Sequence, residues 1–440
     1  MTKDDSLGPD GLNVAFYLAA WPWIKEDVTA LIQQFYNSGQ LLHELKATCI
    51  VLIPKNANPA YPQDFRHISL FNVIYKIIAK SLAQRIKEHL LNYIHASQNA
   101  FIKGRRITTN IIFAQEIVHS FRLSSWNQQG FMIKIDLAKA FDRIEWSFIL
   151  NVLRRHGFHG HFIGLIHACI AAPTFSVLIN RQAQGSFTSQ RGIRQGCPPL
   201  SYLFVLVMNE LSIQLQLALH DNSLTGVSLG PNCPPIHSFM YADDLIICGK
   251  ADMQEINTTK NIINSFCQAS GQIPNWAKSS ILFSRNMDDS LKAQIKTIFP
   301  IQPIDTSTIH LGHPLILAQS ARTQAYTFII QKFRAKLTTI KANRLNRAGR
   351  LAYINSVFAS IPIYYMANIL FSRKFLRKLN AIVCRFWWAG VQEDNTTTPF
   401  HFRAWEDTTQ PKDKGGLGIR NLATINKSLL LNSAWRIVTK

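Results

Sequence analysis

Two aspartates, Asp243 and Asp244, stand side by side in FMYADDLIICGK (239–250), between two runs of strand-forming apolar residues. Two readings of Ala-Asp-Asp compete. One is an ordinary solvated hairpin turn, for which Asp is well suited; the other is part of a charged site. A third carboxylate, Asp136 in KIDLAKAFD, closes the apolar run FMIKID (131–136), so it falls at a strand's carboxyl end. Three carboxylates meeting in a low-dielectric cleft repel, and one or more stays protonated unless a cation neutralises them. Divalent metal resolves the conflict. Hard carboxylate oxygens suit Mg²⁺, which takes one or two of them together with substrate phosphates and water. Two such ions, roughly 3.5–4 Å apart, activate a 3′-hydroxyl and stabilise a departing pyrophosphate, which is the chemistry of nucleotidyl transfer.

The elements that must position these groups read as mixed α and β. ATCIVLIPK (47–55) is a β-rich run stopped by Pro54. FNVIYKIIAKSLAQRIKEHLLNYI (71–94) places Ile74, Ile77, Ile78, Leu82, Ile86 and Leu90 at helical spacing, with Lys76, Lys80, Lys87 and Glu88 off that stripe. A second helix restarts from a Thr or Asn cap over 107–122, and LAKAFDRIEWSFILNVLRRHG (137–157) reads as one helix ending at Gly157. No repeat or low-complexity segment is present.

With 440 residues, 47% of them hydrophobic, the chain can build a large core and two or three lobes. Lys and Arg number 47 against 26 Asp and Glu, a net charge of +21 with a pI near 9.8. A field of that sign favours nucleic acid as partner. No lipidation signal is seen, no apolar run approaches the roughly 20 residues of a membrane span, and MTKDDSLGPDGLN lacks the pattern of an export signal. The seven cysteines are scattered singly, which argues for reduced, mostly buried thiols rather than disulfides or zinc. His156, His159, His161 and His167 cluster without an acidic or Cys partner at ligand spacing, so core or surface roles fit them better than a metal.

From about Ser320 the chain turns helical and basic. QKFRAKLTTIKANRLNRAGR (331–350) carries Lys332, Arg334, Lys336, Lys341, Arg344, Arg347 and Arg350 and no acid. A solvated helix face would be expected to show acidic i,i+4 partners, and their absence points to phosphate contact. RFWWAG (385–390) is read as base-stacking aromatics or as core, and the GGLG of PKDKGGLGIRNL (411–422) as a phosphate cradle or a turn.

Taken together in order, GPDG (8–11), IPK (53–55), DFRHISLFNVIYKIIAKSLAQRI (64–86), SQNAFIKGRRITTNI (97–111), KIDLAKAFDRIEW (134–146), RGIRQGCPPLSYLF (191–204), YADD (241–244), SGQIPNWAKSS (270–280) and HLG (310–312) resemble the reverse transcriptase of non-LTR (LINE-type) retrotransposons, particularly those of plant genomes. AGR (348–350), FWW (386–388) and PKDKGGLGIR (411–420) resemble the region that follows the polymerase core. The resemblance implies an α+β, right-hand polymerase fold: an N-terminal extension and fingers (1–130), a palm with an antiparallel sheet flanked by helices (131–319), and a C-terminal helical, basic thumb-like region (320–440).

It also implies roles. Asp136, Asp243 and Asp244 match the metal-binding triad, for two Mg²⁺ ions or Mn²⁺ in their place. Phe141 matches the steric gate that excludes a ribose 2′-hydroxyl, though it also fits plain helix core. Lys55 and Arg66 match the finger positions that hold the incoming triphosphate, and Gln195 and Gly196 the loop against the nascent base pair. Lys278 matches the lysine that protonates leaving pyrophosphate, with a plain surface lysine as the other reading. Leu311 and Gly312 match the primer-grip turn. The implied activity is RNA-directed DNA polymerisation with an RNA template, a DNA primer and dNTPs, at an intracellular site in nucleus or cytoplasm and without a membrane. The other class of reading is a silent relic that still folds and binds nucleic acid. Three departures bear on that choice: His67 stands where the pattern has proline, CPPLS replaces CPLSP, and Pro274 and Trp276 interrupt a small polar run before Lys278. The segment ahead of the first block is too short for an endonuclease domain, and neither a Cys/His knuckle nor a ribonuclease H pattern is seen, so a fragment of a longer element is expected.

Overall fold

The computed structural model describes residues 6–123, 126–171, 173–194, 200–230, 232–315, 322–337, 345–390 and 400–439. Two compact units result: Met1–Asn110 with Glu116–Pro303, and Ile111–Gln115 with Ile304–Lys440.

The first unit is built on two sheets. β1 (Ala47–Pro54), β2 (Phe65–Phe71), β4 (Thr174–Ile179) and β5 (Gln182–Thr188) form one, in the order β2-β1-β4-β5. The other joins β3 (Gly130–Ile135), β6 (Ser238–Tyr241), β7 (Asp244–Lys250), β8 (Ser280–Phe283) and β9 (Gln302–Pro303) in the order β6-β7-β3-β8-β9, antiparallel except for the last pair. β3 reads GFMIKI and is buried at every position but Lys134, as a central strand covered on both faces requires. Ile78, Leu82 and Ile86 of the helix Val73–Tyr93 join it in one core with Phe204 and Leu211 of the helix Leu200–His220 and Ile149 of the helix Trp146–Arg155.

Sequence patterning located these elements closely, with instructive exceptions. Lys76, placed off the apolar stripe, is buried, and its ammonium donates to the Ser6 carbonyl at 2.8 Å. The helix Ile107–Ser120 is capped by Arg106 with no side-chain bond, not by Thr or Asn. The segment Ser201–His220 is long and apolar enough to cross a membrane, contrary to the sequence reading, and two-thirds of it (67%) is buried within the protein as a core helix. The stretch 137–157 is two helices, Ala140–Arg143 and Trp146–Arg155. The break occurs because the Phe141 and Ile144 carbonyls accept from Ile193 and Gly192 amides, and the Glu145 amide donates to Ser270, so tertiary partners displace the i,i+4 bonds. His67 pairs with Leu52 inside β2, an edge strand where proline and histidine both fit. The six described cysteines are free; Cys169, Cys248 and Cys384 are buried and Cys233 is exposed.

The second unit is helical: Thr327–Leu337, Arg347–Tyr353, a π-helical stretch Ile354–Phe358, Ser360–Met366, Arg373–Ala389 and Leu422–Val438. Tyr326, Phe333, Phe358, Leu379 and Phe386 fill its core. β10 (Ile309–His310) and β11 (His313–Pro314) make a small hairpin within it. GGLG is a turn: the Gly416, Leu417 and Gly418 amides donate to Pro411, Thr408 and Gln410, and a Cβ on Gly416 would lie 2.0 Å from the Gln410 oxygen.

Candidate active site

The Tyr241–Asp244 pairing leaves Ala242 and Asp243 as a two-residue hairpin loop. Ala242 takes φ 56°, as primed hairpin turns demand of a loop residue. For a residue with a Cβ this costs on the order of 1 kcal/mol, so the turn needs outside support. Gln98 provides it. Its Oε1 accepts from the Ala242 amide at 3.1 Å and from the Ala100 amide at 3.0 Å, and the residue is fully buried (0% exposed). Neighbouring backbone bonds, Asn99 to the Met240 carbonyl and Met240 to the Ser97 carbonyl, run this segment along β6.

Asp136 arrives from β3, the strand paired with β7. Ile135 pairs with Leu245, so the register carried one step on sets Asp136 beside Asp244. Its backbone is clamped on both sides: its amide donates to Ser279 Oγ at 3.1 Å, its carbonyl accepts from Asn275 at 2.7 Å, and Ser279 Oγ donates to the Asn275 carbonyl at 2.8 Å. The loop carrying Lys278 is thereby tied to Asp136. Pro274 pairs with Leu137, and Trp276 packs against Phe299 at 5.8 Å with the Lys260 ammonium 4.1 Å from its ring centre. Lys278 is exposed and makes no ion pair among the described residues.

Electrostatics follow from this convergence. Loss of solvent pushes the Asp243 carboxyl above the ordinary carboxylate range; the Asp136 charge adds to the rise, while a backbone hydrogen bond and Lys134 oppose it. For Asp244 desolvation is again the largest cause, opposed by Lys134 and reinforced by the charges of Asp243 and Asp136. The Lys134 ammonium lies 3.8 Å from Asp244 Oδ1 and supplies counter-charge. Among the described residues no three His, Cys, Asp or Glu side chains converge closely enough to cage a metal alone. An open set of carboxylates at a strand end suits a hard divalent cation nonetheless, because such an ion can keep waters and take substrate phosphates as ligands rather than requiring an all-protein cage.

Phe141, on Ala140–Arg143, is half-buried and stacks on Phe204 with ring centres 4.1 Å apart. Asp142 beside it lines a cavity of about 310 Å³ with Ile50, His67, Ser69, Phe175 and Arg194. Burial raises the Asp142 carboxyl, and His67, then Lys139, Arg194 and Lys55, pull it back. Lys55 is therefore within electrostatic reach of the helix that carries Phe141. Its ammonium also donates to the Gln63 carbonyl at 2.8 Å, and Arg66 pairs with Ile53 across the same hairpin. Gln195, Gly196, Lys341 and Arg344 lie outside the described residues.

In the second unit, Leu311 (φ 47°) and Gly312 (φ 75°) form the two-residue loop between β10 and β11, and the Tyr364 hydroxyl donates to the Leu311 carbonyl at 2.5 Å. Of the basic run, Lys332 donates to the Tyr365 hydroxyl, and Arg350 donates to the Leu345 and Trp387 carbonyls. Arg334, Lys336 and Arg347 are exposed.

Residues 53–315 match the family described as reverse transcriptase (RNA-dependent DNA polymerase), and the chain belongs to it. Its relatives include transposon proteins, as the resemblance to non-LTR elements implied. It is 26% identical over 423 residues to the Transposon TX1 uncharacterized 149 kDa protein of Xenopus laevis, covering 95% of this chain and 31% of the relative. It is 28% identical over 246 residues to the Retrovirus-related Pol polyprotein from type-1 retrotransposable element R2 of Nasonia vitripennis, covering 56% and 22%. The chain thus spans a third or less of the length of these relatives. A solved Candida tropicalis telomerase shares 12% identity with a TM-score of 0.45 over 82% of this chain and 56% of that one.

Proposed function

We propose that the chain is a template-directed polymerase that extends a DNA primer along RNA, with Asp136, Asp243 and Asp244 as the carboxylates that hold two Mg²⁺ ions. The observation that carries this is the convergence, at one end of one sheet, of Asp136 with Asp243 and Asp244, the last two being carboxyls whose protonation is favoured first by burial and then by neighbouring negative charge. When bound, the ions supply activation of the primer 3′-hydroxyl and charge stabilisation of leaving pyrophosphate. The rest falls to the chain itself. Lys55 and Arg66 bind the triphosphate, and Phe141 blocks a 2′-hydroxyl, its ring kept from retreating by Phe204 behind it. Lys278, exposed on the loop tied to Asp136, holds the proton for pyrophosphate. Gln195 and Gly196 lie against the new base pair. Residues 1–130 act as extension and fingers, 131–319 as palm, and 320–440 as thumb-like region, with Leu311 and Gly312 gripping the primer. The exposed Arg334, Lys336 and Arg347 of the basic run, together with Lys341 and Arg344, meet phosphates, while Lys332 and Arg350 brace the helices.

The test is primer extension on RNA with dNTPs and Mg²⁺, beside Asp243→Asn. Extension by the unsubstituted chain that drops by about 10³-fold or more in the variant is expected, since metal ligation is a transition-state contribution of several kcal/mol. Undiminished extension in the variant removes the site. A second reading rests on Lys134: its ammonium already neutralises part of the site, as it would in a relic that binds primer and template without copying them. Binding with no extension by the unsubstituted chain selects that reading.

A further inference from the structure

The helix Arg373–Ala389 buries Phe386 and Trp387, which leaves Trp388 only partly covered. His401 stacks on Trp388 with ring centres 6.0 Å apart, Phe402 lies at 5.7 Å, and Phe400 meets Phe402 edge-on at 5.1 Å. The Arg347 guanidinium stands 5.9 Å from the Trp388 ring centre and 5.7 Å from that of Phe402. Phe400 and Phe402 are 77% and 68% exposed, so most of each ring meets water rather than core. Arg347 is exposed and has no carboxylate partner among the described residues, whereas Arg350, nearly one turn on, is committed to backbone carbonyls. The region is basic on balance: residues 304–440 hold twenty Lys and Arg against six Asp and Glu. Open aromatic faces beside a planar cation, in a basic field, match a base with its phosphate; an apolar protein partner leaves the cation and that field unused.

We propose that Trp388, Phe400, Phe402 and Arg347 form a platform on which an unpaired base of a single-stranded nucleic acid stacks, Arg347 meeting the adjoining phosphate. This rests on the reading of the chain as a nucleic-acid enzyme and adds a site outside the polymerase centre. The purified full chain is titrated, by fluorescence anisotropy at fixed salt, with a labelled single strand of about 12 nucleotides, as RNA and as DNA. An abasic strand and a duplex of equal length serve as controls. Phe402→Leu is expected to weaken base-bearing single strands about tenfold, the scale of one lost stack, and to leave abasic and duplex binding unchanged. Arg347→Ala is expected to flatten the salt dependence by about 0.7 in log–log slope, one phosphate contact. A loss confined to RNA places the template on the platform, and one confined to DNA places the primer strand or another DNA strand there. Equal loss on abasic and base-bearing strands overturns the proposal, as does no loss in Phe402→Leu together with Phe400→Leu. Unchanged thermal unfolding of these surface variants shows that the fold is intact. Primer extension run in parallel separates the two readings: a chain that never extends, yet loses base-dependent binding in Phe402→Leu, refutes the polymerase and keeps the platform.

Discussion

Gln98 spends its one carbonyl oxygen on two backbone amides, and one of them belongs to the turn that presents Asp243. Residue type alone marked the three aspartates as candidates in the sequence, with an ordinary hairpin turn as the other reading of Asp243 and Asp244. A lone amide in a loop carries no such signal, so Gln98 and Ser279 were missed. Their importance lies in what they bond. Gln98→Leu keeps the volume near and leaves two buried N–H groups without an acceptor, a loss of about 1–3 kcal/mol for each. If Gln98 positions Asp243, the variant also needs several-fold more Mg²⁺ for half-maximal extension. A variant that is merely less stable keeps its metal requirement at temperatures where it is folded, and the Mg²⁺ titration separates the two.

At the scale of elements, periodicity found the helix Val73–Tyr93 and the strands β1 and β3, and it joined two helices across 137–157. Nothing local breaks that stretch. The loop at Gly192 and Ile193 does so by taking its carbonyls, and Gly192 is suited to this close approach: it holds φ +87°, and a Cβ there would lie 2.4 Å from the Asp142 oxygen. Gly192→Ala therefore combines left-handed strain with a backbone clash and is expected to destabilise the first unit by about 3 kcal/mol. Denaturant titration followed by tryptophan fluorescence measures it. A change under about 1 kcal/mol, the scale of typical single substitutions, would show that the 191–194 segment yields instead of the helix pair.

Across the whole molecule, each unit encloses a histidine held neutral. Burial pushes His237 down to about 4, with help from His95, and the ring is held by Gln216 and Ser238. Burial alone takes His313 to about 4, between the Tyr326 hydroxyl and Asn368. In the unfolded chain both titrate near 6.5, so on acidification the unfolded state takes up protons first. Stability is full above about pH 6.5 and is lost as pH falls towards 4, by up to about 3 kcal/mol for each ring. Chemical denaturation at pH 7.5 and 5 is expected to show the loss, and His237→Gln to remove the first unit's share. Equal stability at both values would mean that neither ring is held neutral.

Residue types and their order were enough to determine the family, the basic character of the C-terminal region and most strands and helices, and to nominate the three aspartates as a candidate centre, because charge, apolar period and turn chemistry are local properties of a chain. Which of two plausible uses a residue serves was decided only in three dimensions. Phe386 and Trp387 became core while Trp388 was left at the edge; GGLG became a turn because carbonyls of Thr408, Gln410 and Pro411 take the amides that a phosphate cradle would have to offer. Lys76 entered the core because a carbonyl seventy residues away was there to receive it. The physical reason is common to all three. Burial and hydrogen-bond satisfaction depend on groups remote in sequence, and no local pattern encodes where those groups will be.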